Sequence, residues 1–145
     1  MQLTLERFSF GVGDRFAHQA RAQLRAFQML SANGVEVVPV WNKSNREHTF
    51  IGTEPSSLRA EADAAVLALG WKKAYHVDAD HIRLETVDRF IASSDFFTID
   101  VADSIGKPAA GTDVAAFVER HAELRRELKI DGVSAPVKLA ADDLT

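Results

Sequence analysis

The sequence predicts an α/β protein in which parallel strands alternate with helices. Apolar runs of strand length recur four times along the 145 residues, and segments with helical spacing separate them. A chain that alternates in this way forms a mainly parallel sheet with right-handed crossovers. We therefore expect four β/α units over about residues 7–130 and an irregular tail over 131–145, all within a single domain that spans 1–145.

Each predicted strand is a short apolar run that leads into polar residues. The four runs are Arg7–Asp14, Val35–Trp41, the segment from Lys73 into Asp78, and Asp95–Asp103. The second run is rich in β-branched side chains, which suits a strand that is buried on both faces.

The predicted helices are marked by apolar spacing and by their stop and start residues. Helical spacing and capping residues predict helices from about Phe16 to Asn33, from Pro55 to Gly70, over Val87–Ala92 with Thr86 as cap, and from Thr112 to about Lys129. The intervening segment 42–57 is polar and is expected to be a loop.

Four β/α units correspond to half of a (β/α)8 barrel of the TIM type, since a whole barrel takes about 250 residues. Four parallel strands would leave two open edges. The segment AADDLT at 140–145 also resembles the start of a further helix. We predict the first half of such a barrel, as an incomplete domain. A small open parallel α/β domain is the alternative.

Composition limits the classes of partner. The net charge is −4 without a basic stripe, so a nucleic-acid surface is not expected. No apolar run approaches the roughly 18 residues of a membrane span, and we expect a cytoplasmic protein without a membrane partner. Because there is no cysteine, disulfides and thiolate chemistry are excluded. The expected partners are a small substrate and either further copies of the chain or a missing carboxyl-terminal half.

Polar side chains follow the carboxyl ends of all four predicted strands. These ends meet at one edge of a parallel α/β fold, where sites form. Any one of these residues could instead be a helix cap or a solvated loop charge. Taken together, they suit an anionic or polyhydroxylated substrate. The candidates are Asp14, Arg15 and His18; Asn42, Lys43, Asn45, Arg46 and His48; Asp78, Asp80 and His81; and Asp100 and Asp103.

Asp80 and His81 are the best candidates for metal ligands. Carboxylate oxygen and imidazole nitrogen suit divalent manganese, iron, cobalt, nickel or zinc. Neighbouring residues on an extended strand point to opposite sides, so both can bind one metal only if the chain turns there. The site also needs at least one further ligand.

Two other functions remain open from the residues. The segment HVDADHI has the form of a phosphoaspartyl site, in which Asp78 would attack phosphorus and Asp80 would serve as acid and base beside Mg²⁺. This reading predicts a phosphotransferase or phosphatase. The chain could also be a non-catalytic half-barrel that associates with itself.

Four motifs, in order and spacing, resemble the tagaturonate epimerase family. They are FGVGDRFAHQARAQLRAF, VPVWNKSNREH, VDADHI and FFTIDVAD, and the resemblance covers about Phe8 to Pro108. It implies a metal-dependent barrel enzyme of several hundred residues, an isomerase that interconverts tagaturonate and fructuronate. The present chain would then be its amino-terminal portion and inactive by itself.

The resemblance also implies roles for individual residues. Under it, the metal is a divalent ion such as Mn, Ni, Zn or Fe, held by Asp80 and His81. The expected catalytic groups are Asp14, Asp78 and Asp100. Among the expected substrate-binding residues, the motif match covers Arg15. The others, His18, Lys43, Asn45 and Arg46, are expected from their position after the predicted strands.

Overall fold

The structure, a computed structural model, describes residues 6–139, and these form two compact units. The first unit ends at Ala102 and the second begins at Asp103. The prediction of a single domain over 1–145 is not tested by this division and stays a prediction. The helix expected in AADDLT lies outside the described residues. Among the described residues, no helix has both the length and the apolar character needed to cross a membrane.

The first unit is built on a parallel sheet of four strands whose spatial order follows the chain. The strands are β1 (Ser9–Gly13), β2 (Val38–Ser44), β3 (His76–Ile82) and β4 (Phe96–Ile99). The connections contain α1 (Ala20–Ala32), α2 (Asn45–Ile51) and α3 (Pro55–Leu69). Right-handed crossovers between strands in sequential order place such helices on one face of the sheet. The predicted α/β fold with parallel strands is confirmed.

Helices α1 and α3 bury their apolar sides against one face of the sheet. Leu24 and Phe27 of α1 and Leu58 of α3 are at most 4% exposed and pack in one cluster with Trp41 of β2. Full burial of a leucine or phenylalanine side chain contributes about 1.5–3 kcal/mol, so this layer stabilises the unit strongly. Because side chains alternate along a strand, Lys43 lies on the same helix-covered face as Trp41.

The opposite face of the sheet is polar towards the carboxyl ends of the strands. Asn42 is paired in register with Asp78, and Ser44 with Asp80, across β2 and β3. Their side chains alternate with those that face the helices, such as Trp41. The α/β crossovers of this unit leave that polar face free of helices, as expected for the interior side of a barrel wall.

The strands reach further into the polar clusters than the sequence suggested. β2 continues to Ser44, and β3 contains the whole HVDADHI segment, so that it extends beyond Asp78 to Ile82. The helix expected from Phe16 begins instead at Ala20, and Phe16 is 59% exposed. The carboxylate of Asp14 accepts backbone N–H groups of the intervening residues, which holds the chain in a turn before the helix starts.

The prediction that 42–57 is a loop is wrong, because α2 forms within it. Ser44 accepts a hydrogen bond from the Glu47 backbone N–H at 3.3 Å, and Glu47 Oε2 accepts from the Ser44 backbone N–H at 3.0 Å. This capping box starts the helix. Gly52, with φ of 67°, ends it in a left-handed conformation that glycine adopts without steric cost.

The connection between β3 and β4 contains only a short 3-10 helix, Val87–Arg89, where a helix to Ala92 was expected. Phe90 follows this helix and is buried at 1% exposure, whereas Ile91 is 59% exposed.

The second unit contains a helix and a small antiparallel pair of strands. α4 (Gly111–Arg120) is followed by a 3-10 helix, Ala122–Arg125, and by β5 (Glu127–Leu128) paired with β6 (Val137–Lys138). The single helix expected from Thr112 to about Lys129 is therefore wrong beyond Arg120. The backbone leaves the helical region at His121, with φ of −113° and ψ of 48°.

Candidate active site at the carboxyl ends of the strands

A cleft of about 490 Å³ opens where β2, β3 and β4 end. Five of the sequence-predicted site residues line it: Asn45, Arg46, Asp80, His81 and Asp100. The remaining lining residues are Ser44, Glu47, Arg83 and Thr86. The structure thus brings together the polar groups that follow three of the four strands. All of them lie within the first unit.

Asp80 and His81 face the same cleft because β3 bulges between them. The register with β4 shifts between Ala79 and Ile82, so that β3 has one residue more than its partner. His81 adopts a left-handed backbone conformation, with φ of 54°, which costs about 1–3 kcal/mol for a residue other than glycine. The turn brings His81 Nδ1 to 2.8 Å from Asp80 Oδ1. The hydrogen bond that His81 donates to Asp80, together with the charge of Asp80, raises the pKa of His81.

Asp100 follows β4 and is held in the cleft by Arg83. Its Oδ2 accepts from Arg83 Nε at 2.9 Å and from Nη2 at 2.8 Å. Its Oδ1 accepts the backbone N–H of Ala102 at 3.0 Å. The N–H of Ala102 and then the Arg83 guanidinium lower the pKa of Asp100. Asp100 is therefore an oriented carboxylate at neutral pH, since its charged form is the one that these donors favour.

The start of α2 forms the second wall of the cleft. Burial alone would raise the pKa of Glu47, but the Ser44 hydrogen bonds and the charges of Arg15 and Lys43 outweigh it and lower the pKa. Arg15 Nε lies 3.8 Å from Glu47 Oε1. The capping box thus holds the Ser44 hydroxyl and Glu47 Oε2 together on the cleft, with Oγ of Ser44 donating to Oε2 at 3.1 Å. Arg46 is exposed and, among residues 6–139, makes no hydrogen bond or ion pair.

Asp78 lies on the polar face of the sheet and is only 5% exposed. Its Oδ1 accepts the backbone N–H of Thr98 at 3.0 Å, and its Oδ2 accepts the Thr98 hydroxyl at 2.8 Å. Burial raises the pKa of Asp78, and the charge of Asp80 raises it further, against the opposing effect of Thr98. Asp78 does not line the cleft.

Lys43 is fully buried on the helix side of the sheet and also lies outside the cleft. Its ammonium donates to Thr53 Oγ1 at 3.0 Å, and the same oxygen lies 3.0 Å from His48 Nδ1. Because lysine can only donate, the Thr53 hydroxyl accepts from Lys43. The direction of its hydrogen bond with His48 Nδ1 depends on the tautomer of the imidazole. Burial and then the nearby charge of Lys43 lower the pKa of His48 to about 4.

The residues after β1 form a turn beside the cleft. Asp14 accepts the backbone N–H groups of Phe16, His18 and Gln19 at 2.6 to 3.1 Å. Burial would raise the pKa of Asp14, but these three donors outweigh it and lower the pKa. His18 is exposed. Neither Asp14 nor His18 lines the cleft, and Asp14 shapes the turn with both carboxylate oxygens.

The donor types in the cleft fit a divalent transition metal, although the described residues do not complete a site. Asp80 and His81 are adjacent and share the cleft, with the imidazole held through Nδ1 so that Nε2 is the nitrogen left for a metal. No group of three or more His, Asp or Glu side chains within 6–139 is placed to hold a metal ion. Any metal here would need additional ligands.

Several residues of the cleft were missed by reading the sequence. Ser44 and Glu47 carry a detectable signal, because S-x-x-E is the spacing of a capping box. Arg83 and Thr86 carry none, since charged and hydroxyl residues are common in any connection after a strand. Their position on the cleft depends on the bulge in β3.

The fold and the cleft define an α/β protein with sequentially ordered parallel strands and a polar site at their carboxyl ends. Residues 1–134 match the family model described as UxaE, tagaturonate epimerase. The chain therefore belongs to the tagaturonate epimerase family.

Two solved structures are similar in fold. Both are of fructuronate-tagaturonate epimerase UxaE from Cohnella laeviribosi, one described as complexed with one glycerol and the other with two. Each matches with a TM-score of 0.60 and 20% sequence identity, over 94% of this chain and 30% of the other. The chain thus spans less than a third of the length of those proteins. No curated protein matches it.

Proposed function

We propose that the chain forms the amino-terminal part of a metal-dependent epimerase acting on a keto-uronate such as tagaturonate. The observation that carries the proposal is the membership of residues 1–134 in the tagaturonate epimerase family, together with the cleft at the carboxyl ends of β2, β3 and β4. The cleft combines cations, carboxylates and an imidazole, as an anionic sugar substrate requires.

The substrate carboxylate binds at the α2 wall. Arg46 is an exposed guanidinium with no hydrogen bond or ion pair among residues 6–139, so its donors are available to an anion. Guanidinium groups bind carboxylates through two parallel hydrogen bonds. Asn45 lies beside it on the same wall. Arg15, His18 and Lys43 support this proposal less well, because they do not line the cleft.

Asp80 and His81 would hold the metal, with further ligands from outside the described residues. Bound there, a divalent ion would stabilise the negative charge that develops on a substrate oxygen during epimerisation. Both proposed ligands lie on the bulge of β3, and the His81–Asp80 hydrogen bond fixes which ring nitrogen faces the ion.

Epimerisation needs either a proton transfer or a retro-aldol cleavage followed by re-addition, and both need an acid or base. Asp100 faces the cleft, and its lowered pKa keeps it in the carboxylate form that a base requires. The raised pKa of Asp78 favours the protonated acid instead, but Asp78 does not line the cleft. The turn role of Asp14 leaves it the least suited of the three predicted catalytic carboxylates.

We also propose that the four-stranded sheet is half of a larger barrel. Sequential strand order with all crossovers on one side leaves a polar face on the other side of the sheet. A second set of β/α units, or a second copy of the chain, would cover this face and the edges of β1 and β4. The observed fold does not favour a nucleophilic Asp78, whose two oxygens are bound by Thr98.

The test is epimerase activity of the protein at its native length. It would be incubated with tagaturonate and Mn²⁺, Ni²⁺ or Zn²⁺, and the sugar followed by proton NMR in D₂O. The expected result is conversion to fructuronate that is lost in Asp80→Asn and His81→Asn and retained in His18→Asn, which lies outside the cleft. Deuterium at the epimerised carbon indicates proton transfer, whereas retro-aldol cleavage breaks no C–H bond at that carbon and introduces none. No conversion with any of the metals would overturn the proposal.

A further inference from the structure

Arg89, in the connection between β3 and β4, binds two parts of the connection between β2 and β3 with one side chain. Its Nε and Nη2 donate to the two carboxylate oxygens of Glu54 at 2.9 and 3.0 Å. Its Nη2 also donates to the carbonyl of Thr53 at 2.8 Å, and Nη1 donates to Asn45 Oδ1 at 2.8 Å and Thr49 Oγ1 at 3.4 Å. Arg89 lies in the 3-10 helix after β3, whereas its partners belong to α2 and to the entry into α3. It therefore ties the two walls of the cleft together without lining the cleft itself.

This contact fixes the orientation of the Asn45 amide. A guanidinium has only donors, so the atom of Asn45 that faces Nη1 is the oxygen. The amide nitrogen of Asn45 is then left with two hydrogens, and among residues 6–139 it has no acceptor. Asn45 lines the cleft next to Arg46.

We propose that Arg89 is a positioning residue that makes Asn45 an obligatory hydrogen-bond donor to the ligand. With Oδ1 occupied by Arg89, Nδ2 is the polar group that Asn45 offers to the cleft. It would donate to an oxygen of the substrate carboxylate, alongside the donors of Arg46. The choice of ligand rests on the proposed function, whereas the orientation of the amide does not.

The Asn45→Asp variant removes the Nδ2 donor of residue 45 and keeps its contact with Arg89. An aspartate at this position still accepts from Nη1, now as an ion pair, but it can no longer donate to a ligand. A hydrogen bond to a charged group contributes about 1.5–3 kcal/mol, so KM for tagaturonate is expected to rise roughly tenfold to a hundredfold. The melting temperature is expected to stay unchanged or to rise.

Thr49→Asp is the charge-matched control. Thr49 lies on α2 beside Arg89 but does not line the cleft, so this variant adds the same charge without removing the donor. Its KM is expected to stay within about threefold of the wild-type value, because an exposed charge outside the cleft is screened by salt. An equal rise of KM in both variants would overturn the proposal.

Substitution of Arg89 itself distinguishes positioning from simple stabilisation. Arg89→Met frees the Asn45 amide to rotate, while Arg89→Lys can still donate to Oδ1 but cannot form the fork to Glu54. Both variants are expected to lose melting temperature. The lysine variant should nevertheless keep a KM closer to the wild-type value, with kcat changed less than KM in either. A KM that simply follows the melting temperature across the two variants would refute a positioning role.

The orientation of the Asn45 amide can be measured without any enzymatic activity, so that this inference is tested independently of the proposed function. Neutron diffraction from a crystal of the native-length protein exchanged into D₂O distinguishes the deuterated Nδ2 of Asn45 from its Oδ1. Oδ1 facing Arg89 supports the inference even if tagaturonate is not a substrate. Nδ2 facing Arg89 would overturn it even in an active epimerase.

Discussion

His81 Nδ1 lies 2.8 Å from Asp80 Oδ1 across a bulge in β3, so two adjacent residues of one strand reach the same cleft. A regular strand would place them on opposite faces. The bulge requires His81 to take a φ of 54°, and histidine is among the residues that tolerate this region best after glycine. The strained backbone is the physical condition under which the DADH segment can form one site.

The Asp80 contact predicts an altered titration of His81. The hydrogen bond and charge of Asp80 favour the imidazolium, so the pKa of His81 is expected above its ordinary value. In Asp80→Asn the charge is lost, and the pKa should fall back. An NMR titration of the His81 ring protons in the metal-free protein measures both values. A His81 pKa that is the same in both proteins would contradict the assignment.

His48 predicts a loss of stability in acid. Burial and the charge of Lys43 lower its pKa from 6.5 to about 4 in the folded protein. As the pH falls from about 6.5 to about 4, His48 becomes protonated in the unfolded chain but stays neutral in the folded protein. The free energy of unfolding should therefore decline over this range, by about 3 kcal/mol from this group. Urea unfolding at a series of pH values measures the slope.

His48→Asn provides the control for that slope. Its amide can form a hydrogen bond with the Thr53 hydroxyl in place of Nδ1, but it cannot be protonated in this range. The variant is expected to be less stable at neutral pH, since the smaller side chain leaves space beside Phe90, whose ring centroid is 5.7 Å from that of His48. Its stability should also depend less steeply on pH. Equal slopes in the two proteins would show that His48 is not the responsible group.

The sequence was sufficient for the parallel α/β fold and for part of the site. Apolar periodicity located β3 and α3, and the position of Asp80 and His81 after an apolar run placed them at the correct edge of the sheet. Periodicity could not show that Lys43 faces the helices, because this depends on how far β2 continues beyond Trp41. A strand that ends three residues later converts an expected loop residue into a fully buried one.

Arg89 shows why the rest of the site could not be predicted. Its partners Asn45, Thr53 and Glu54 are 35 to 44 residues away in sequence, and no local pattern encodes their meeting. Asp14 is a different case, since its Asx-type turn is a common local use of aspartate. The polar position of Asp14 after β1 predicted a catalytic role. Its three hydrogen bonds from nearby backbone N–H groups explain an aspartate at this position equally well.

The capping box predicts a specific loss on substitution of Ser44. Ser44→Ala removes the acceptor for the Glu47 N–H and is expected to destabilise the protein by about 1 kcal/mol, as measured by urea unfolding. Ser56→Ala is the matched control, because Ser56 is exposed in the first turn of α3 and does not cap it. It should change stability by less than about 0.5 kcal/mol. Similar losses in the two variants would mean that the cap contributes nothing specific.

Replacing Asp78 by asparagine is expected to preserve the fold and to remove the titratable carboxyl group. Burial raises its pKa, so its ionisation opposes folding: stability is lost as the pH rises from the unfolded value through the folded one. In Asp78→Asn the amide oxygen can still accept the Thr98 N–H, and the amide nitrogen can donate to the Thr98 hydroxyl. The melting temperature at pH 7 should therefore not fall, and any gain over wild type should disappear in acid.

Asp95→Asn is the comparison that makes this test specific to Asp78. Asp95 precedes β4 and pairs with Arg59 at 3.1 Å, so its neutralisation removes an ion pair and should lower the melting temperature slightly. If Asp78 also supplies a proton during epimerisation, its asparagine variant should lose about 10²–10⁴-fold in kcat while remaining folded. A stable Asp78→Asn protein with full activity would exclude Asp78 from catalysis. A marked fall in its melting temperature at pH 7 would instead show that the buried carboxylate stabilises the sheet as an anion.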